Sequence, residues 1–345
     1  MGIDSAFVLH NGNTDKTDVQ KRIRGVVFLF NEVNRGSSDA FELQENRLNL
    51  SIARSELDDA LSLIEQKEMV EAVAELSRHG SLMQNHTGAL YFFEWTRKLQ
   101  ANLYGDGNME VARTLNQIGN VYFKMGTVID LRRAECSFQE SLKIKRRILG
   151  DKDHIEIATS INNIALIFKE RNDYDRALEL FRKALRMKRS IVGDNSPDVA
   201  STIVNIANIY ELKGELNKAL ELYQKTLPVQ KMALEENHPN TAVTKSNIAN
   251  IYKKQGKFNE AVGYFSEAIA MMKVTNPSHP VIHINLCKLG KIFFRAGDIE
   301  RARRCFVDAL TSQKRTMGED HPAVIKTRNI IRSIEKQEQH ILKTL

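Results

Sequence analysis

The chain has 345 residues, 42% of them hydrophobic, and carries a net charge of +7 from 50 Lys and Arg against 43 Asp and Glu. That is enough apolar material for a large core, built either as compact domains or as one elongated array. No apolar run is long enough to span a bilayer, the first residues lack the basic-then-apolar order of a secretory leader, and Cys136, Cys287 and Cys305 show no metal-ligand spacing, which together fit a cytoplasmic chain without disulfides or a membrane anchor.

Residues 1–44 read as an amino-terminal segment that is partly disordered: positions 1–20 are polar, and the apolar run GVVFLFNEV from Gly25 to Val33 suits either a helix or a strand. Residues 45–105 read as a helical region leading into an array. Leu43, Leu50, Leu57 and Ile64 recur every seven residues, but Arg47 and Arg54 spoil the companion positions of a coiled coil. This favours packing on the adjoining part of the same chain over pairing with a second copy, and a monomer over a dimer. The stretch from Ala89 to Ala112 has the pattern of a second helix and connection of one further unit.

From 106 to 320 the chain repeats itself. QIGNVYFKMG (Gln117–Gly126), NIALIFKERN, NIANIYELKG, NIANIYKKQG and KLGKIFFRAG each precede a second apolar segment, and the spacing between the third and fourth copies is 42 residues. Apolar residues recur at three- and four-residue steps in both halves, and Gly or Asn stands between them, so each copy is a helical hairpin. Gly119, Ala165, Ala207, Ala249 and Gly290 form one small column, and Ala134, Ala177, Ala219, Ala261 and Ala302 another. Phe138, Phe181, Tyr223, Phe265 and Phe306 fill the space between them.

This alternation, with a Pro in the connection, resembles the tetratricopeptide repeat. The period and connections such as LEENHPNTA and MGEDHPAV narrow the resemblance to the repeats of kinesin light chains and nephrocystin-3-like proteins over residues 111–325. The resemblance implies an all-α, right-handed superhelical solenoid of five hairpins in 106–320. A carboxyl-terminal capping helix in 321–345 would close it, with Arg332 where the copies have Gly or Ala. Two departures, about four extra residues near TVIDLRR and a fourth-to-fifth step one residue short, are expected at connections.

No catalytic constellation is present, so neither enzymatic chemistry nor a cofactor is expected. His238, His279 and His321 occur one per connection, where stacked repeats hold them about 10 Å apart, too far to share a metal. Asparagine is a poor helix former, yet Asn120, Asn208 and Asn250 share one column, Asn163, Asn205 and Asn247 another, and Asn116 lies beside them. Lys254, Lys288, Lys291 and Arg295 extend the same face. The resemblance places these residues in the concave groove, where amides suit the backbone of an extended peptide and cations suit acidic side chains. The structural alternative is that each Asn only bonds a neighbouring helix. Val204 and Ile284 stand where two cations of the carboxylate-gripping members of the superfamily are expected, so a complete clamp is not. The expected function is an adaptor that binds a protein or peptide partner through an extended acidic segment. The alternative is RNA binding by the outer basic runs Lys143–Leu149 and Arg182–Arg189, which lack interleaved base-stacking aromatics.

Overall fold

The computed structural model describes residues 16–35, 40–62, 64, 66–83, 85–150, 152–234 and 237–344. Among them the chain forms helices alone: α1 (Lys16–Arg35), α2 (Ala40–Ser62), α3 (Gln66–Leu82), α4 (His86–Tyr104), α5 (Met109–Met125), α6 (Val128–Leu149), α7 (Ile155–Glu170) and α8 (Tyr174–Val192). They continue as α9 (Pro197–Leu212), α10 (Leu216–Ala233), α11 (Pro239–Lys254), α12 (Phe258–Thr275), α13 (Val281–Arg295), α14 (Ile299–Met317) and α15 (Pro322–Thr344). Two compact units result, one reaching Lys152 and including Thr159–Ile167, the other comprising Asp153–Ala158 and everything from Phe168 onward.

In the first unit the apolar run at Gly25–Val33 is helical. Val19, Ile23, Val26 and Phe30 recur at steps of four, three and four, so α1 presents one apolar stripe, and all four are buried with Leu57, Leu61, Leu76 and Phe92. The expected disorder therefore does not extend through 16–20, because Val19 anchors the first turn; positions 1–15 lie outside the described residues. Leu50, Leu57 and Ile64 point into this same core, so the heptad-spaced face of α2 is covered within the chain. The half unit expected upstream is a whole hairpin, α3 with α4, preceded by another, α1 with α2.

Hairpin packing follows the small-against-large columns. A Cβ added at Gly119 would stand 2.5 Å from Phe138, and one at Gly290 2.9 Å from Phe306, distances that no side chain tolerates without displacing the ring. The first helix of each of the five later hairpins stops at a left-handed residue, Gly126, Gly214, Gly256 or Gly297, with Asn172 at φ 62° taking that role once. Of the four extra residues one falls in the connection after α6, but the three near TVIDLRR lengthen no connection. They add a turn to the start of α6, which Thr127 caps by accepting the Asp130 N–H at 3.1 Å, and Val128 and Ile129 on that turn face solvent.

Connection histidines prove to be helix caps. Nδ1 of His154, His238, His279 and His321 each accepts the backbone N–H two residues on, at 3.1 to 3.2 Å. Within each unit buried polar rungs join successive hairpins. Thr114 donates to Gln100 at 2.7 Å and Lys145 to Ser160 at 3.1 Å in the first unit. In the second, Lys188 donates to Thr202 at 3.0 Å and Gln230 to Thr244 at 3.1 Å. After α14 comes the single helix α15, whose Ile331 and Ile334 pack with Phe306 while Arg332 is exposed.

Candidate functional site

The expected site residues divide between the two units. In the first, Asn116 and Asn120 on α5 meet Asn163 on α7: the Asn163 amide donates to Oδ1 of Asn116 at 3.1 Å and lies 3.4 Å from Oδ1 of Asn120. Asn120 in turn donates to Gln117 at 3.1 Å. These amides bond chiefly to one another across the helices, which is the structural role weighed for them.

In the second unit, α9, α11 and α13 lie side by side. Asn205, Asn208, Asn247 and Asn250 are half-buried on the first two. Asn247 donates to Oδ1 of Asn208 at 3.2 Å, so this pair too links neighbouring helices, while Asn250 has no hydrogen-bond partner among the described residues. Cations gather beyond them. Lys254 is held by Glu211 at 2.8 Å, and Lys291 and Arg295 are exposed on α13. Lys288 is half-buried with its ammonium 5.5 Å from the centre of the Phe265 ring, and no acceptor meets it among the described residues.

Burial, before anything else, and then the charge of Lys253 lower the Lys288 pKa to about 8 against the opposing pull of Glu211. Lys253 shows the same influence: burial lowers its pKa first, followed by Lys291, Lys254 and Arg295. Five cations therefore share one electrostatic neighbourhood with one carboxylate, Glu211. Sequence reasoning missed Lys253 and Glu211, which occupy the same column immediately after the aromatic residue of the first helix. The doubled lysine at 253–254 was the available signal.

The outer basic runs are less continuous than expected. Lys143, Arg146, Arg147, Arg182, Arg186 and Arg189 are exposed, but Lys145 and Lys188 are buried in the polar rungs. Arg189 is paired with Asp194 at 2.6 Å and Arg182 donates to the Tyr210 hydroxyl at 2.9 Å.

Two family profiles, both of the tetratricopeptide repeat, match this sequence at 198–273 and at 111–156, 157–198 and 286–323, together more than half of the chain. The chain belongs to the tetratricopeptide-repeat family. The family is one of protein-interaction scaffolds. BtubC (BKLC) from P. vanneervenii has the same fold, with a TM-score of 0.50 and 18% identity over 76% of this chain and 94% of that one. The nearly identical TPR-like repeats of a provisionally assigned kinesin light chain from Podosopora anserina align with a TM-score of 0.45 and 16% identity, covering 62% of this chain and 99% of that one. No curated protein matches the sequence. Among the described residues no helix is long and apolar enough to cross a membrane, and no three His, Cys, Asp or Glu side chains are grouped to hold a metal.

Proposed function

We propose that this tetratricopeptide-repeat chain is a non-enzymatic adaptor that holds an extended acidic segment of a partner protein along the α9, α11 and α13 face. The observation that carries this reading is the cluster of Lys253, Lys254, Lys288, Lys291 and Arg295 around the single carboxylate of Glu211. Like charges held this close repel one another, and an acidic ligand relieves that repulsion. Asn250, with both its donor and its acceptor unclaimed within the described residues, suits the ligand backbone.

The test is fluorescence anisotropy with a labelled deca-glutamate peptide at several salt concentrations. Exposed charges are screened over about 8 Å at physiological salt, so affinity should fall as salt rises. Lys288→Glu with Lys291→Glu should abolish binding without lowering the melting temperature, while Asn250→Ala should weaken it with the salt slope kept. Unchanged affinity in both variants would sink the proposal. Binding of a random RNA that is lost with Arg146, Arg147 and Arg186 changed to Ala would favour the outer surface instead.

A further inference from the structure

Lys288 differs in kind from the other cations of its face. Lys254 has a carboxylate partner, and Lys291 and Arg295 are exposed to water. Lys288 is half-buried over Phe265, which α12 contributes, and its nitrogen has neither acceptor nor counterion within the described residues. The charged groups facing it are Lys253 and Lys254 from α11, Lys291 from its own helix and Glu211 from α9, with Arg295 one turn beyond Lys291. Glu211 is engaged by Lys254 at 2.8 Å and by the Tyr223 hydroxyl at 3.2 Å. An amine that is poorly hydrated and surrounded by like charge gives up its proton readily, and the neutral amine is the nucleophile. The same cations attract anions to the nitrogen. A nucleophile and an anion trap thus coincide.

We propose that Lys288 is a covalent modification site that captures phosphate-bearing aldehydes as imines. The nitrogen lone pair adds to the carbonyl carbon, the carbonyl π pair moves to oxygen, and a proton passes from nitrogen to that oxygen. The resulting carbinolamine loses its hydroxyl group together with the remaining N–H proton as water while the nitrogen lone pair forms the C=N bond, so amine plus aldehyde gives imine plus water with no change of oxidation state. Lys253, Lys254, Lys291 and Arg295 supply the positive field that draws the phosphate toward Nζ. With the Lys288 pKa at about 8, about a fifth of the amine is neutral at pH 7.4, against about a thousandth for an ordinary lysine. The adduct exchanges an ammonium for a phosphate and so removes most of the net positive charge of the face. Only that regulatory consequence rests on the acidic-segment reading; the modification does not.

The probe is pyridoxal 5′-phosphate at one equivalent, added to the full chain without peptide, reduced with borohydride and located by peptide mapping. The first equivalent should fall on Lys288, at a rate about tenfold above that of any other lysine, and pyridoxal, which lacks the phosphate, should react about tenfold more slowly. Lys288→Arg should remove the fast phase. Should that variant misfold, Lys253→Gln with Lys291→Gln keeps the amine and should slow labelling of Lys288 several-fold by removing charge. Labelling scattered over the other lysines, or equal rates for the two aldehydes, would overturn the proposal. Because no peptide is present, either result is independent of whether the face binds acidic segments.

Discussion

The Tyr223 hydroxyl lies 2.5 Å from Oδ1 of Asn208 and 3.2 Å from Oε2 of Glu211, so one side chain of the aromatic core column reaches the first-helix face. The corresponding positions hold Phe138, Phe181, Phe265 and Phe306, which have no hydroxyl. Burial, reinforced by the Glu211 charge, raises the phenol pKa far above its usual value, so the group stays a donor. Its two neighbours are committed elsewhere as well: Asn208 accepts from Asn247, and Glu211 holds Lys254.

Tyr223→Phe keeps the ring and deletes only this hydroxyl. The expected cost is about 1 kcal/mol, the usual net worth of one hydrogen bond. Urea unfolding with an unchanged slope and a lower midpoint would show it. An unchanged midpoint would mean that the hydroxyl is idle and that Asn208 and Glu211 are fixed by their other partners.

The rung between Lys188 and Thr202 gives a second expectation. The Lys188 ammonium is buried, donates to Thr202 at 3.0 Å and lies 3.4 Å from the Asp198 carbonyl, and burial lowers its pKa. Thr202→Val should leave that group under-solvated at a cost of about 1–3 kcal/mol. Lys188→Met copies the Met272 that fills the same place two hairpins later, and should be nearly neutral. Combined with Lys188→Met, Thr202→Val should lose most of its cost. A double-mutant cycle with no coupling would show that the contact contributes nothing.

These rungs mark the limit of what the sequence made legible. The hairpins were readable because small and aromatic residues alternate at helical spacing, and that pattern has one physical cause, close approach of two helices. Lys145 and Lys188 were misread as surface charges because a long amphipathic side chain can thread its stem through apolar contacts to a hydroxyl on the next hairpin. Only the facing Ser160 and Thr202, fifteen and fourteen residues on, hinted at it. The amides were half legible. Their column was visible, but the bonds Asn163–Asn116 and Asn247–Asn208 depend on which rows neighbouring helices bring into register. The first hairpin was obscured for another reason: its core is made chiefly of Leu, Ile, Val and Phe without the paired Ala and Gly columns that gave the later copies away.

Acid should destabilise the second unit through His283. This residue stands where the earlier repeats have Ala112, Ala158, Ala200 and Ala242; it is 3% exposed and its Nδ1 has no hydrogen-bond partner among the described residues. Burial, and after it the charges of His279 and His321, lowers its pKa below the ordinary 6.5, and burial lowers that of His279 too. Between the lowered folded value and 6.5 the unfolded chain binds more protons, so stability rises with pH in that window and is lost as pH falls through it. The urea midpoint should drop between pH 7.5 and 5.5, and His283→Leu, which cannot titrate, should shrink the drop. An equal drop in the variant would place the acid sensitivity elsewhere.

Glu211 offers the sharpest separation of binding from folding. Among the described residues it is the carboxylate that acts on these five cations, and it both neutralises Lys254 and opposes the lowering of the Lys288 pKa. If the face holds acidic segments, this carboxylate repels them at close range. Glu211→Gln preserves size and an acceptor for Tyr223 while removing the charge, so affinity for deca-glutamate should rise about three- to tenfold, most strongly at low salt, with a steeper salt dependence. Lys254 loses its partner in that variant, yet it is exposed, so the fold should lose about 1 kcal/mol or less. The same substitution removes the pull that keeps a proton on Lys288, which should make that amine faster toward pyridoxal 5′-phosphate as well. Anisotropy and labelling on one variant therefore read the two proposals separately. Tighter peptide binding supports the acidic-segment reading, faster labelling supports the reactive amine, and an affinity for deca-glutamate that is unchanged or weaker would show that ligands do not lie against Glu211.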